Sequence, residues 1–163
     1  MTSVRFNGNW TKVTASLAAL PTVLQSAAIW GQRKAAEKLV KIVKGHINNQ
    51  DLNWPQPNNK SNSGDPRILV DSEAYLNSIK AWKKGDTYYA GIPSTARNAK
   101  GIRIADYAIL HEFGYDDMPE RALWRPSVEE LGGGQGIAAI IGAAIYNKIG
   151  ALRAAGFTVT NKL

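Results

Sequence analysis

Apolar positions set the first element of this chain. Leu24, Ala28, Gly31, Ala35, Leu39, Ile42 and His46 step by three or four residues, while Arg33, Lys34, Lys38, Lys41 and Lys44 occupy the other side. That is the period of an amphipathic helix, and Pro21 stands where a first helical residue tolerates proline. Continued to Ile47, such a helix is roughly 40 Å long at 1.5 Å per residue. One small core does not cover that length, so one end is expected to project or to pack on a neighbour. Gly31 weakens the helix locally, by about 1 kcal/mol. Upstream, Val4, Phe6 and Trp10 alternate with polar residues as a short strand does.

Residues 48–67 are dominated by Asn, Ser, Pro and Gly and read as a long exposed loop. Loops of this length usually move or engage something. The one adhesive element, Trp54-Pro55, either folds back onto its own domain or anchors the loop in a partner. A short helix over 72–77 follows, then two runs of β character, Ser78–Lys83 and Thr87–Ile92, joined by the turn residues Lys84-Gly85-Asp86. The spacing of Ile104, Tyr107, Ala108 and His111 predicts a helix over 102–113. A last helix is expected from Pro126, broken near the glycines of 132–136, and Phe157–Thr160 has the pattern of a terminal strand. The order predicts a single α+β domain over 1–163, a small antiparallel β-sheet packed against a long N-terminal helix and a C-terminal helix.

Composition narrows the chemistry. With no cysteine there is neither a disulfide framework nor a thiolate metal site. The first residues lack a signal peptide's apolar segment, and the greasiest stretch, Gly136 to Tyr146, is about half the ~20 residues of a membrane span. No membrane association is expected. The net charge of +7 is uneven: residues 1–100 hold 14 basic against 6 acidic side chains, residues 101–163 hold 6 against 7. A basic half suits nucleic acid or an acidic protein face, although no aromatics are seen among the basic residues, as strand-binding surfaces require.

Catalytic and cofactor motifs are missing. His111-Glu112 opens like a zinc helix, but the second histidine would fall at 115, where Tyr115 stands. The glycines of 132–136 are not followed by Lys-Ser or Lys-Thr and match no phosphate loop. Asp116, Asp117 and Glu120 have no apolar surroundings to raise a carboxyl pKa, and they read as a solvated turn or as partners of Arg121 or Arg125. No cofactor, metal or enzymatic activity is expected.

The densest information lies in 107–126. An apolar run ends at Gly114, an acidic turn leads to Met118-Pro119, and two arginines follow with Leu123 and Trp124 between them. Tryptophan and arginine are enriched at interface hot spots, so Phe113, Gly114, Met118, Pro119, Arg121, Trp124, Arg125 and Pro126 are the candidate contact residues. Trp54 is a candidate loop anchor. Arg33, Lys34, Lys38, Lys41 and Lys44 are candidates to face DNA or an acidic surface.

These residues carry a resemblance. Leu76-Asn77-Ser78-Ile79, Tyr89-Ala90-Gly91-Ile92, Tyr107-Ala108 with His111-Glu112-Phe113-Gly114, and Met118-Pro119-Glu120-Arg121 with Arg125-Pro126 occur in the order found in tailed-bacteriophage neck and tail-completion proteins of the minor-tail-protein-Z-like group. The resemblance covers roughly residues 20–150, and the 107–126 block is its specific part. Asp71-Ser72, Ala122-Leu123-Trp124 and the glycine-rich 132–136 depart from the group's pattern. The resemblance implies a non-enzymatic virion component, assembled in the host cytoplasm. It would form a homo-oligomeric ring, with six subunits as the expectation, at the head-proximal end of the tail. Its neighbours would be neck, head-closure or tail-tube and terminator proteins, with non-specific contact to the DNA in the channel. A basic DNA-binding module acting in phage DNA handling is the alternative.

Overall fold

The computed structural model describes residues 10–55, 73–116 and 118–154, with side chains from 18 to 152. The fold is α+β, as the residue pattern predicts. Helix α1 spans Trp10–Asn49, followed by α2 (Ala74–Ser78), β1 (Lys80–Lys84), β2 (Thr87–Gly91), α3 (Ile104–Phe113), α4 (Trp124–Glu130) and α5 (Gly133–Ala154).

Helix α1 is longer than its pattern suggests. It runs through Pro21, which is exposed inside the helix rather than at its start. A proline there removes one hydrogen bond, but Ala18, Ala19 and Leu20 before it and Val23 and Leu24 after it sustain the turns. Trp10, expected in a strand, begins this helix; Val4 and Phe6 lie outside the described residues. At 1.5 Å per residue the 40 residues extend ~60 Å.

Part of that length is covered within the chain, because α5 runs antiparallel along the same helix. Leu131 and Ile137 lie against Ala35 and Leu39, while Ile141 and Ala144 meet Gly31. A Cβ on Gly31 would stand 2.8 Å from the Ile141 Cα and 3.1 Å from the Ala144 Cβ. The glycine that costs α1 helix propensity is therefore a point at which the two backbones approach closely. The hairpin β1–β2 also packs on α1, antiparallel with Trp82 opposite Tyr89. Gln32 Oε1 accepts from the Tyr88 N–H at 3.2 Å, and Gln25 donates to Asp86 at 3.1 Å. A two-stranded hairpin is marginal alone; here its Tyr88 and Ala90 face, with α1 and α5, a 180 Å³ apolar cleft.

The core joins Leu39, Val43 and Ile47 of α1 to Trp54, Tyr75, Ile79, Ile104, Ala108, Leu123 and Leu131. Several boundaries differ from expectation, Ser78 among them, which closes α2 where the first strand was expected to begin. Helix α4 starts at Trp124, two residues before Pro126, because the first N–H groups of a helix need no intrahelical acceptor and proline is tolerated among them. The glycine-rich break is confined to Leu131–Gly132, and Gly133, Gly134 and Gly136 belong to α5. The loop expected over 48–67 begins only after Asn49; its remainder from 56, like the Phe157–Thr160 strand, lies outside the described residues. Finally, the stretch measured as Gly136–Tyr146 is part of a longer one: Gly133–Leu152 is, by length and composition alone, long and apolar enough to cross a bilayer, at mean hydropathy 1.2. Glycine and alanine supply much of it, and Ile137, Ile141 and Ala144 lean on α1.

Candidate functional site

The 107–126 block is a knot tied by one carboxylate. Glu112, in the last turn of α3, is buried. Its Oε2 accepts from the backbone N–H of Leu123 at 2.7 Å and of Trp124 at 2.9 Å, and its Oε1 from that of Arg125 at 3.1 Å. Those N–H groups open α4, so a side chain eleven residues upstream supplies the cap that Leu123 cannot. A carboxylate is unfavourable at the C-terminus of its own helix by about 0.3–1 kcal/mol. Hydrogen bonds to a charged acceptor contribute about 1.5–3 kcal/mol each, and they decide the placement.

The chain between the two helices is equally fixed. Gly114 ends α3 at φ 71°, and a Cβ there would meet the Met118 carbonyl oxygen and the Glu120 nitrogen, each at 3.1 Å. Only glycine has both the conformation and the room. Tyr115 and Met118 then exchange backbone hydrogen bonds at 3.1 and 2.8 Å, and the Arg121 N–H donates to the His111 carbonyl at 2.7 Å. Met118 and Pro119 are half-buried in this return.

Several candidate contact residues are thereby used within the chain. Arg121 is 5 % exposed and its Nε donates to the Pro55 carbonyl at 3.0 Å. Trp54 is buried, its indole N–H on the Ala122 carbonyl at 2.9 Å. Of the two readings left open for Trp54, folding back onto its own domain is the observed one, and both residues are corrected from partner anchors to internal ties between 54–55 and 121–122. Trp124 is half-buried, and the Tyr75 hydroxyl is pushed well above the usual phenol range by burial. Arg125 donates to the Glu112 carbonyl at 3.3 Å and pairs with Glu120. Pro126 lines a 450 Å³ groove with Leu52, Trp54, Glu120, Arg125 and Glu129.

Large apolar side chains remain outside. Phe113 is 65 % exposed and Tyr115 67 %, and Ile109 is exposed one turn before Phe113 on the same face of α3. The Arg125 guanidinium lies over the Phe113 ring, 5.7 Å from its centre. Ile109 and Tyr115 did not stand out in the sequence, although the four-residue spacing of Ile109 and Phe113 opposite buried Ala108 and Glu112 marks them as outward. On α1, Arg33, Lys34, Lys38 and Lys41 are exposed and Lys44 half-buried. Arg33 and Lys34 pair with Glu37 at 2.7 and 3.8 Å. The absence of aromatics among the basic residues is overturned: Trp30 is exposed one turn before Lys34, whose Nζ sits 5.3 Å from the ring centre.

The histidines are packed. Among the described residues no three His, Cys, Asp or Glu side chains could share a metal ion. His46 lies between Asp51, 2.6 Å from Nδ1, and Glu130, 3.2 Å from Nε2 but off hydrogen-bond geometry. His111 stands edge-on to Tyr75 and Tyr107, at 6.3 and 6.4 Å, with its Nδ1 buried and unbonded. Burial first, and Arg121 second, hold its pKa down at about 4 from an ordinary 6.5. The folded state thus resists a proton that the unfolded chain accepts. Stability from this group is whole above pH 6.5, falls as the pH drops toward 4, and levels below that. The acid-side loss of melting temperature between pH 6.5 and 4 should shrink in His111→Phe; equal slopes in variant and wild type would refute this role.

Comparison with known proteins found no matching family model, no similar curated protein and no similar solved structure.

Proposed function

We propose that this chain is a structural subunit of a tailed-phage virion, forming a homo-oligomeric ring at the head-proximal end of the tail and enabling head–tail joining. The observation that carries the reading is the exposed patch of Ile109, Phe113 and Tyr115, held by a knot in which Glu112 accepts from three backbone N–H groups of the chain. Large apolar side chains left in water on a rigid support mark a docking surface. Among the described residues around them none pairs a nucleophile with a base, which favours assembly over catalysis. The acidic groups of the knot's rim, Asp116, Glu120 and Glu129, are exposed beside this patch's segment, while α1 presents lysines. Patches of unlike kind on one subunit suit a head-to-tail contact, and such contacts close into rings. The partners would be further copies of this chain and the neighbouring neck, head-closure or tail-tube proteins.

Phe113→Asp tests the contact. Surface changes of this kind usually alter stability by less than about 0.5 kcal/mol, so the variant should melt as wild type does but give only monomer in native mass spectrometry. A lost thermal transition would make Phe113 a structural residue instead. The role is tested by electron microscopy of lysates from phage deleted for the gene. Filled heads separate from finished-length tails are expected; normal joined particles would overturn the neck reading.

A further inference from the structure

We propose that the outer face of the β1–β2 hairpin is a nucleic-acid contact surface, gripping the phosphate backbone with lysines and stacking bases on an aromatic pair. The surface lies on a different element from the α3 patch, and its existence does not depend on the ring.

Strand alternation puts Lys80, Trp82 and Lys84 on one face of β1, and the antiparallel register sets Gly91, Tyr89 and Thr87 opposite them on the same face. The other face, with Tyr88 and Ala90, is spent on α1 and α5. Trp82 and Tyr89 stack at 5.6 Å between ring centres, 17° from parallel. The Trp82 ring lies over Gly91, 3.5 Å from where a Cβ would be, an ordinary packing distance. Tyr89 remains 43 % exposed. The result is a flat aromatic step flanked by two ammonium groups, and among the described residues neither Lys80 nor Lys84 has a carboxylate partner.

The surrounding charge has the same sign. Residues 80–103 carry six basic side chains, Lys80, Lys83, Lys84, Arg97, Lys100 and Arg103, against the single acid Asp86. That acid is met by Lys83 at 3.9 Å and by Gln25. The register places Gly91 beside Lys80, so the segment bearing Arg97, Lys100 and Arg103 leaves the sheet at the Lys80 end. Lysine offers point charges to phosphate, and every base has a face that stacks on an aromatic ring. This face carries no Asn, Gln or Arg to make a forked contact with a base edge, so binding should depend little on sequence. The basic stripe of α1 is the weaker competitor: its Arg33 and Lys34 are paired with Glu37, and its Trp30 already holds the Lys34 ammonium.

Fluorescence anisotropy with a labelled oligo(dT) and a duplex of equal length, each at low and at physiological salt, tests the surface. Lys80→Glu/Lys84→Glu should weaken both at least about tenfold and flatten the salt dependence, since fewer phosphate contacts release fewer counterions. Lys38→Glu/Lys41→Glu makes the same charge change on α1 and should alter affinity by less than about threefold. Tyr89→Ala keeps the charge and should weaken oligo(dT) by about tenfold, within the range of one lost stacking partner, and the duplex far less. Equal losses in the two double variants would reduce the effect to overall charge. Absence of binding at low salt by a wild-type protein with its normal melting transition would overturn the proposal outright.

Discussion

Glu112→Ala is expected to destabilise the protein by about 4 kcal/mol, a size that the breaking of a buried network can reach. Three backbone N–H groups lose their acceptor at once, two of them to the same oxygen. The Leu123 N–H belongs to a residue with almost no exposure, so water cannot replace the lost bond. Each stranded buried donor costs about 1–3 kcal/mol, and the loss of a helix cap about 1. At 2–4 °C per kcal/mol for a chain of this size, the melting temperature should fall by roughly 10 °C. Glu112→Gln should recover only part of the loss, because both carboxylate oxygens accept and an amide turns one acceptor into a donor. Urea denaturation of the three proteins is the measurement. A loss under about 1 kcal/mol for alanine would mean that the knot is held by packing alone, through Leu123 and Trp54.

The second large effect reverses a general rule. Gly→Ala inside a helix ordinarily gains up to about 1 kcal/mol, and Gly45→Ala should do so, since nothing lies within 4 Å of a Cβ there. Gly31→Ala should instead lose about 2 kcal/mol, and Gly31→Leu more. The obstacle at 2.8 Å is the Ile141 Cα, a backbone atom that moves only if α5 moves. Overpacking of this kind typically costs about 1–3 kcal/mol before the helices part. The pair of alanine variants, compared by thermal melting, isolates the contact: opposite signs support the close helix approach, and two stabilised variants would refute it.

These two positions show what a sequence discloses. The stripe through Leu39 and His46, the Lys84-Gly85-Asp86 turn and the α3 pattern were legible because each follows from local periodicity or turn chemistry. Gly31 was legible only as a weakness in α1, since its partners stand some 110 positions later and no local rule points to them. The 107–126 block was legible as special, but not as to why. Arginine and tryptophan have the same identity whether they meet a partner or their own chain, and Arg121 and Trp54 bond to carbonyls far away in sequence. Glu112 was read as part of an incomplete zinc motif and of the His111–Gly114 block, not as a cap, although its spacing to a helix start that lacks its own capping residue was available. The hairpin surface escaped for a simpler cause: Lys80, Trp82 and Lys84 alternate with other residues along the chain and become neighbours of Tyr89 only across the strands.

The length of α1 has a consequence for handling the protein in solution. A compact globule of 163 residues has a radius of gyration near 15 Å, which corresponds to a sphere about 40 Å across. A single helix of ~60 Å exceeds that diameter. The subunit is therefore drawn out along α1 and diffuses somewhat more slowly than a sphere of its 17.7 kDa. Elution volume from a sizing column is biased toward larger mass, and the stoichiometry of any assembly is better read from mass than from hydrodynamic radius.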